Sequence, residues 1–125
     1  MKDKKYTYKE IKRKIYEKGI SVDTEIIDYN HVGIFNYDLF PEQKLAIIFY
    51  MEVDKKHRKK GIAKSIIDQF ACEMKCNGYD TIELHYMNDK TKKIWSKLGF
   101  IQTPNSIEMK MSIKDIECIC NTIKQ

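Results

Sequence analysis

Residues 45–53 read LAIIFYMEV, a run of apolar, β-branched and aromatic positions without the alternation of a half-exposed strand. The pattern predicts a central strand buried on both faces. Upstream, TEIIDY (24–29) and HVGIFNY (31–37) read as strands, and Asp38–Pro41 as a turn. Nearer the N-terminus, Thr7 and Glu10 form a T-x-x-E capping box. Tyr8, Ile11 and Ile15 follow at helical spacing before Gly19, which predicts a short helix over 7–18. Beyond the central strand the period changes. Ile62, Ala63, Ile66, Ile67, Phe70, Ala71 and Met74 recur every three to four residues, an amphipathic helix closed by Asn77-Gly78. TIELHYM (81–87) is a further strand, Asp89–Leu98 a short helix stopped at Gly99, and 107–112 a last strand. Ser112 with Asp115 opens a terminal helix carrying Ile116, Ile119 and Ile123. The alternation predicts a single α/β domain with a mixed central sheet flanked by helices, without linker or repeat.

Composition narrows the function classes. A hydrophobic fraction of 42% with 11% aromatics excludes a disordered chain. No apolar run approaches the ~18–20 residues of a membrane span. The opening MKDKKYTYKE is charged and has no apolar stretch, so it does not read as a signal peptide. The expected compartment is the cytoplasm, where Cys72, Cys76, Cys118 and Cys120 would be thiols. Cys72 and Cys76 share a helix face, but no paired histidines accompany them, so no metal is expected.

The net charge of +5 is local. Residues 55–64 hold six Lys/Arg and no acid, and residues 1–18 hold eight against three. The remainder has nine basic and fifteen acidic residues. A general polyanion binder would be expected to spread its basicity more widely. The segment HRKKGIAKS (57–65) lies between the buried strand and a helix start. Backbone N–H groups there have no intrahelical acceptor and suit a phosphate, and Gly61 lets a ligand approach closely. Arg58, Lys59, Lys60 and Lys64 add charge around it. The spacing is neither that of a nucleotide phosphate loop nor that of a dinucleotide fingerprint. Taken alone, the segment also fits a solvated helix end.

VDKKHRKKGIAKSII (53–67) resembles the acetyl-CoA-binding motif of the GNAT superfamily of N-acetyltransferases, a strand followed by [Q/R]-x-x-G-x-[G/A] opening a helix. Arg58, Gly61 and Ala63 fill its slots. NDKTKKIWSKLGF (88–100) is similar to the family's second signature, N-x-x-A-x-x-[FL]-Y-x-x-x-G-F, matching at Asn88, Gly99 and Phe100, with Leu98 at an open position before the glycine. Thr91, Ile94 and Trp95 replace the usual Ala, aromatic or Leu, and Tyr. The likeness covers roughly 31–112. It implies a splayed mixed sheet in which the pantetheine of acetyl-CoA enters between strands 45–53 and 81–87. Backbone groups near Met51 and Val53 would pair with the pantetheine amides like an added strand. The loop at Arg58, Lys59, Lys60, Gly61, Ile62, Ala63 and Lys64 would hold the pyrophosphate. Asn88 would bond the cofactor arm, although Asn at a helix start is also an N-cap.

The implied reaction is attack of a neutral amine on the thioester carbonyl, with a backbone N–H near Met51–Val53 stabilising the oxyanion. Relatives protonate the leaving thiolate with a tyrosine, where this chain has Trp95. Indole cannot act as an acid near neutral pH. Trp95 is therefore either at the thioester sulfur or a packing residue, and Tyr86 is the nearest phenol in sequence. Candidate bases are Glu52, His85, His31 and Glu25; Glu52 and Asp54 flank Val53 and could attract a cationic amine. The short N-terminal region implies an open or homodimer-completed acceptor site. The acidic remainder favours a polyamine, an aminoglycoside-like compound, or a lysine or N-terminal amine. Two other readings compete: a domain binding coenzyme A as a sensor or interaction module, and a nucleic-acid-binding module using 1–18 and 55–64.

Overall fold

The computed structural model describes residues 6–116. Seven strands form one mixed sheet: β1 (Thr7–Ile15), β2 (Ile20–Ile27), β3 (His31–Phe40), β4 (Leu45–Val53), β5 (Thr81–His85), β6 (Ile101–Gln102) and β7 (Glu108–Ser112), in spatial order β1-β2-β3-β4-β5-β7-β6. Helix α1 (Ile62–Cys76) connects β4 to β5, which pair in parallel, and α2 (Asp89–Lys97) follows β5. No helix among the described residues is long and apolar enough to cross a membrane.

The core lies between α1 and one face of the sheet. Ile62, Ile66, Ile67, Phe70, Ala71 and Met74 form the buried stripe of α1, as their spacing predicts. Phe70 meets Phe35 edge-on at 5.0 Å between ring centroids and Tyr37 at 4.5 Å. By register, Ile48 lies opposite Tyr37, Met51 opposite Phe35 and Ala46 opposite Ile82, so these share the face beneath α1. The other face carries Asp23, Glu25, Ile34, Asn36, Ile47, Tyr50, Glu52 and Glu83, none of them buried.

The helix predicted over 7–18 is instead strand β1, paired antiparallel with β2 through a turn at Tyr16–Gly19. In the strand, Ile11 and Ile15 are 60% and 73% exposed and do not reach the core. Tyr8 alone of the three reaches the core, in edge contact with Phe35, and its hydroxyl donates to Glu73. Glu10 does not serve a capping box; it pairs with Arg13 at 2.7 Å. A bulge between Glu10 and Lys12 and the lysines along this edge discourage further strand pairing. Gly19 serves the hairpin, since a Cβ there would come 2.8 Å from the Phe40 ring.

Other differences are smaller. β3 runs through the expected turn to Phe40, and the reversal comes at Pro41–Lys44. β5 ends at His85, and β6 was not anticipated. Residues 113–116 are not helical, and the rest of the expected terminal helix lies outside the described residues. Cys76 is disulfide-bonded, against the expectation of thiols throughout, so cysteine usage no longer supports the cytoplasm.

Candidate active site

β4 is the organising strand. It pairs with β3 from Leu45 to Val53 but with β5 only from Leu45 to Ile47, opposite Thr81 to Glu83. Beyond that point the two parallel strands part, and the β5-facing edge of β4 has no strand partner among the described residues. The expectation of burial on both faces does not hold: only the α1-facing positions of the first half are buried, and Leu45 and Ile47 on the other face are part-exposed. Ala46 and Ile48 are buried, whereas Phe49 is 76% exposed and Tyr50 45%. A bulge falls at the same place: Tyr37 pairs with Ile48 and Asn36 with Tyr50, leaving Phe49 as an extra residue. A bulge takes a backbone group out of the ladder and re-aims it, a device common beside ligand sites. Nothing in the sequence announces it.

The mouth of the split is closed by the turn 54–61 and the start of α1. Gly61 is the N-cap, left-handed at φ 75°, and makes no side-chain cap. Its carbonyl accepts from Ser65, so the first α1 N–H groups lack an intrahelical acceptor. No acid sits in the first turn to neutralise them. The reason for glycine differs from the expected one: a Cβ at Gly61 meets nothing within 4 Å, and the positive φ is what excludes other residues. Lys59 is also left-handed, at φ 64°. The space above these donors is open, which fits a pyrophosphate.

Not all the cations face that space alone. Arg58 Nε donates to the Val53 carbonyl at 2.8 Å and its Nη2 lies 3.5 Å from Glu52, tying the loop to the end of β4. Lys64 pairs with Asp68 one turn along α1, at 2.9 Å. Glu52 also accepts from the Tyr50 hydroxyl at 2.5 Å, a bond that raises the Tyr50 pKa. His31 bridges Glu25 at 2.7 Å and Asp54 at 3.7 Å, but on β3, one strand away from the split. Met51 and Val53 lie on the unpaired half of β4.

On the β5 side, Asn88 caps α2. Its Oδ1 accepts from the Thr91 N–H at 2.9 Å, while Thr91 Oγ1 accepts from the Asn88 N–H at 3.1 Å. Thr91 thus does structural work that the family's usual alanine could not. The cap uses only Oδ1, so the Asn88 amide N–H₂ remains for a ligand. Tyr86 follows β5 and is half-buried against the core; its oxygen accepts from Gln102 Nε2 at 3.0 Å, leaving its own hydrogen to donate. Trp95 packs edge-to-face on Phe100 at 5.4 Å. On the opposite face, one ligand atom from each of Glu83, His85 and Glu108 lies within 4.8 Å of the others. Lys110 Nζ stands 3.9 Å from Glu83 and 3.8 Å from Glu108, supplying positive charge to the group. Burial, and then Glu108, push the Glu83 pKa up; the Thr103 hydroxyl holds that of Glu108 down.

Comparison with known proteins agrees with this arrangement. The profile described as "Acetyltransferase (GNAT) domain" matches residues 13–102. No curated protein matches the sequence. Among solved structures, Tetrahymena GCN5 superposes with a TM-score of 0.66 at 12% identity, over 82% of this chain and 72% of that one. A GNAT-family acetyltransferase of Staphylococcus aureus Mu50 gives 0.62 at 20% identity, over 75% and 69%. The Escherichia coli GNAT-family N-acetyltransferase YhbS, solved in complex with CoA, gives 0.58 at 14% identity, over 75% and 59%. These identities carry the fold alone. With the profile spanning most of the chain and both motifs seated at the split between β4 and β5, the chain belongs to the GNAT acetyltransferase family.

Proposed function

We propose that the chain is an acetyl-CoA-dependent N-acetyltransferase acting on a cationic primary amine. The observation that carries this reading is the parting of β4 from β5 after Ile47 and Glu83, with the uncapped N-terminus of α1 at its mouth. An extended pantetheine arm would add as a strand along the unpaired edge of β4, at Met51 and Val53, and the pyrophosphate would take the first α1 N–H groups. Arg58, Lys59 and Lys60 add charge there; the Asn88 amide is left for the arm. A relative solved with CoA is consistent with this ligand.

The thioester would lie where β4 bulges, with a backbone N–H of that stretch stabilising the oxyanion. Tyr86 then gives its proton to the departing sulfur, a role that Trp95, packed on Phe100, does not need to fill. Glu52 is engaged by Tyr50 and Arg58 and serves better to attract the amine than to take its proton. The acceptor reaches the site from the sheet face opposite α1. β1 and β2 form a tight hairpin, so no helix between them walls that face, and an extended acceptor such as a lysine side chain or polyamine fits the opening.

A thiol-release assay over an amine library, with coenzyme A binding followed by thermal shift, tests the proposal. Turnover restricted to cationic primary amines is the expected result. Binding without turnover on any amine would instead favour the sensor reading, which the tryptophan at position 95 supports.

A further inference from the structure

We infer that His85, grouped with Glu83 and Glu108 within 4.8 Å of one another, takes the proton from the attacking amine. The inference rests on the acetyltransferase reading and names a residue within it. β5 presents residues 82 and 84 to the core and residues 83 and 85 to the other face. Tyr86 packs against the core, on the α1 side. His85 and Tyr86 are therefore adjacent in sequence but address the split from opposite faces. The parallel register ends with Ile47 opposite Glu83, and two further residues bring β5 to His85 and β4 to the bulged Phe49. That is where a thioester entering along β4 would be met by an acceptor from the open face.

The neighbours of His85 suit a base. Glu83 lies two residues back on the same face, and Glu108 is its register partner on β7. Carboxylates within 4.8 Å of an imidazole stabilise the imidazolium that forms on proton transfer. Lys110 completes the charged groups of this cluster and Thr103 donates to Glu108 at 2.9 Å, which fixes that carboxylate in turn. His31 is directly paired with its carboxylates, Glu25 at 2.7 Å and Asp54 at 3.7 Å, but lies on β3, with β4 between it and the split. In the balanced step, the amine nitrogen forms the C–N bond as the C–S bond breaks. His85 receives the amine proton, Tyr86 supplies a proton to the thiolate, and both exchange with solvent afterwards.

The test compares His85→Gln, His85→Ala and His31→Gln at saturating acetyl-CoA with one confirmed amine. His85→Gln is expected to lower kcat by roughly 10²-fold or more, with coenzyme A affinity by calorimetry unchanged. The acid limb of the wild-type kcat/KM profile should vanish with it. Added imidazole should restore part of the turnover of His85→Ala and do nothing for wild type, while His31→Gln retains its rate. Wild-type kcat and an intact acid limb in His85→Gln would overturn the assignment while leaving the enzyme reading standing. Loss of rate in His31→Gln instead would move the base to β3. Wild-type protein that binds coenzyme A yet acetylates no amine would sink both readings.

Discussion

The two halves of β4 have the same kind of sequence and opposite fates. From Leu45 to Ile48 the strand lies between β3 and β5 and sends Ala46 and Ile48 into the core. From Phe49 to Val53 it keeps β3 and loses β5, and Phe49 and Tyr50 face solvent. Apolar content therefore does not distinguish a strand half that holds the fold from one whose far edge is left open. The neighbour on the far side does. The most direct way to break this comparison uses adjacent residues. Ile48→Ala should cost about 2–5 kcal/mol of stability, the range for emptying a packed site. Phe49→Ala should cost little, yet weaken turnover if the bulge aims a group at the thioester. Urea unfolding of both variants decides it; equal losses would mean that the open half is structural after all.

The second contrast is between the two sides of the split. Gly61→Glu puts a like charge and a strained residue at the α1 N-terminus, where a Cβ meets no protein atom. It should abolish measurable coenzyme A binding in a protein that still folds. Calorimetry with circular dichroism on the same sample separates binding from folding, and wild-type affinity would end the phosphate reading. Arg58→Ala is the milder version. It removes a charge near the proposed pyrophosphate position and also the tether to the Val53 carbonyl, and should weaken binding by about 1–2 kcal/mol. Because exposed charges are screened beyond ~8–10 Å at physiological salt, this loss should shrink as ionic strength rises.

The same comparison explains what could be read from the chain. α1 (Ile62–Cys76) follows its apolar spacing because a helix face is a local property, and the bounds of β4 were legible from its apolar run. The two family motifs located the split for the same reason: they are contiguous in sequence. β1 was misread because T-x-x-E and three apolar residues are weak evidence. Pairing with β2 satisfies its backbone while leaving Ile11 and Ile15 in solvent. Glu83, His85 and Glu108 were separate residues in sequence, with His85 no better a base than His31. Only the antiparallel register of β5 with β7 brings them together. The bulge at Phe49 and the bond from Gln102 to Tyr86 likewise depend on tertiary pairing.

The smallest expected effect is at Trp95, the one departure from the family's signature that bears on the chemistry. If the position faces the sulfur, Trp95→Tyr restores a phenol and kcat rises. The edge-to-face contact with Phe100 argues the other way, since such pairs contribute about 0.5–1.5 kcal/mol beyond the area they bury. Trp95→Tyr and Trp95→Phe should then lower the melting temperature by a few degrees and leave kcat at saturating cofactor unchanged. Tyr86→Phe should slow turnover, because the phenol that accepts from Gln102 is the one with a hydrogen left to give. A gain in kcat with Trp95→Tyr would return the acid to α2. If Tyr86→Phe and both Trp95 variants keep the wild-type rate, neither side chain protonates the sulfur. The thiol, with a pKa near ~8.5, would then leave unassisted as the thiolate.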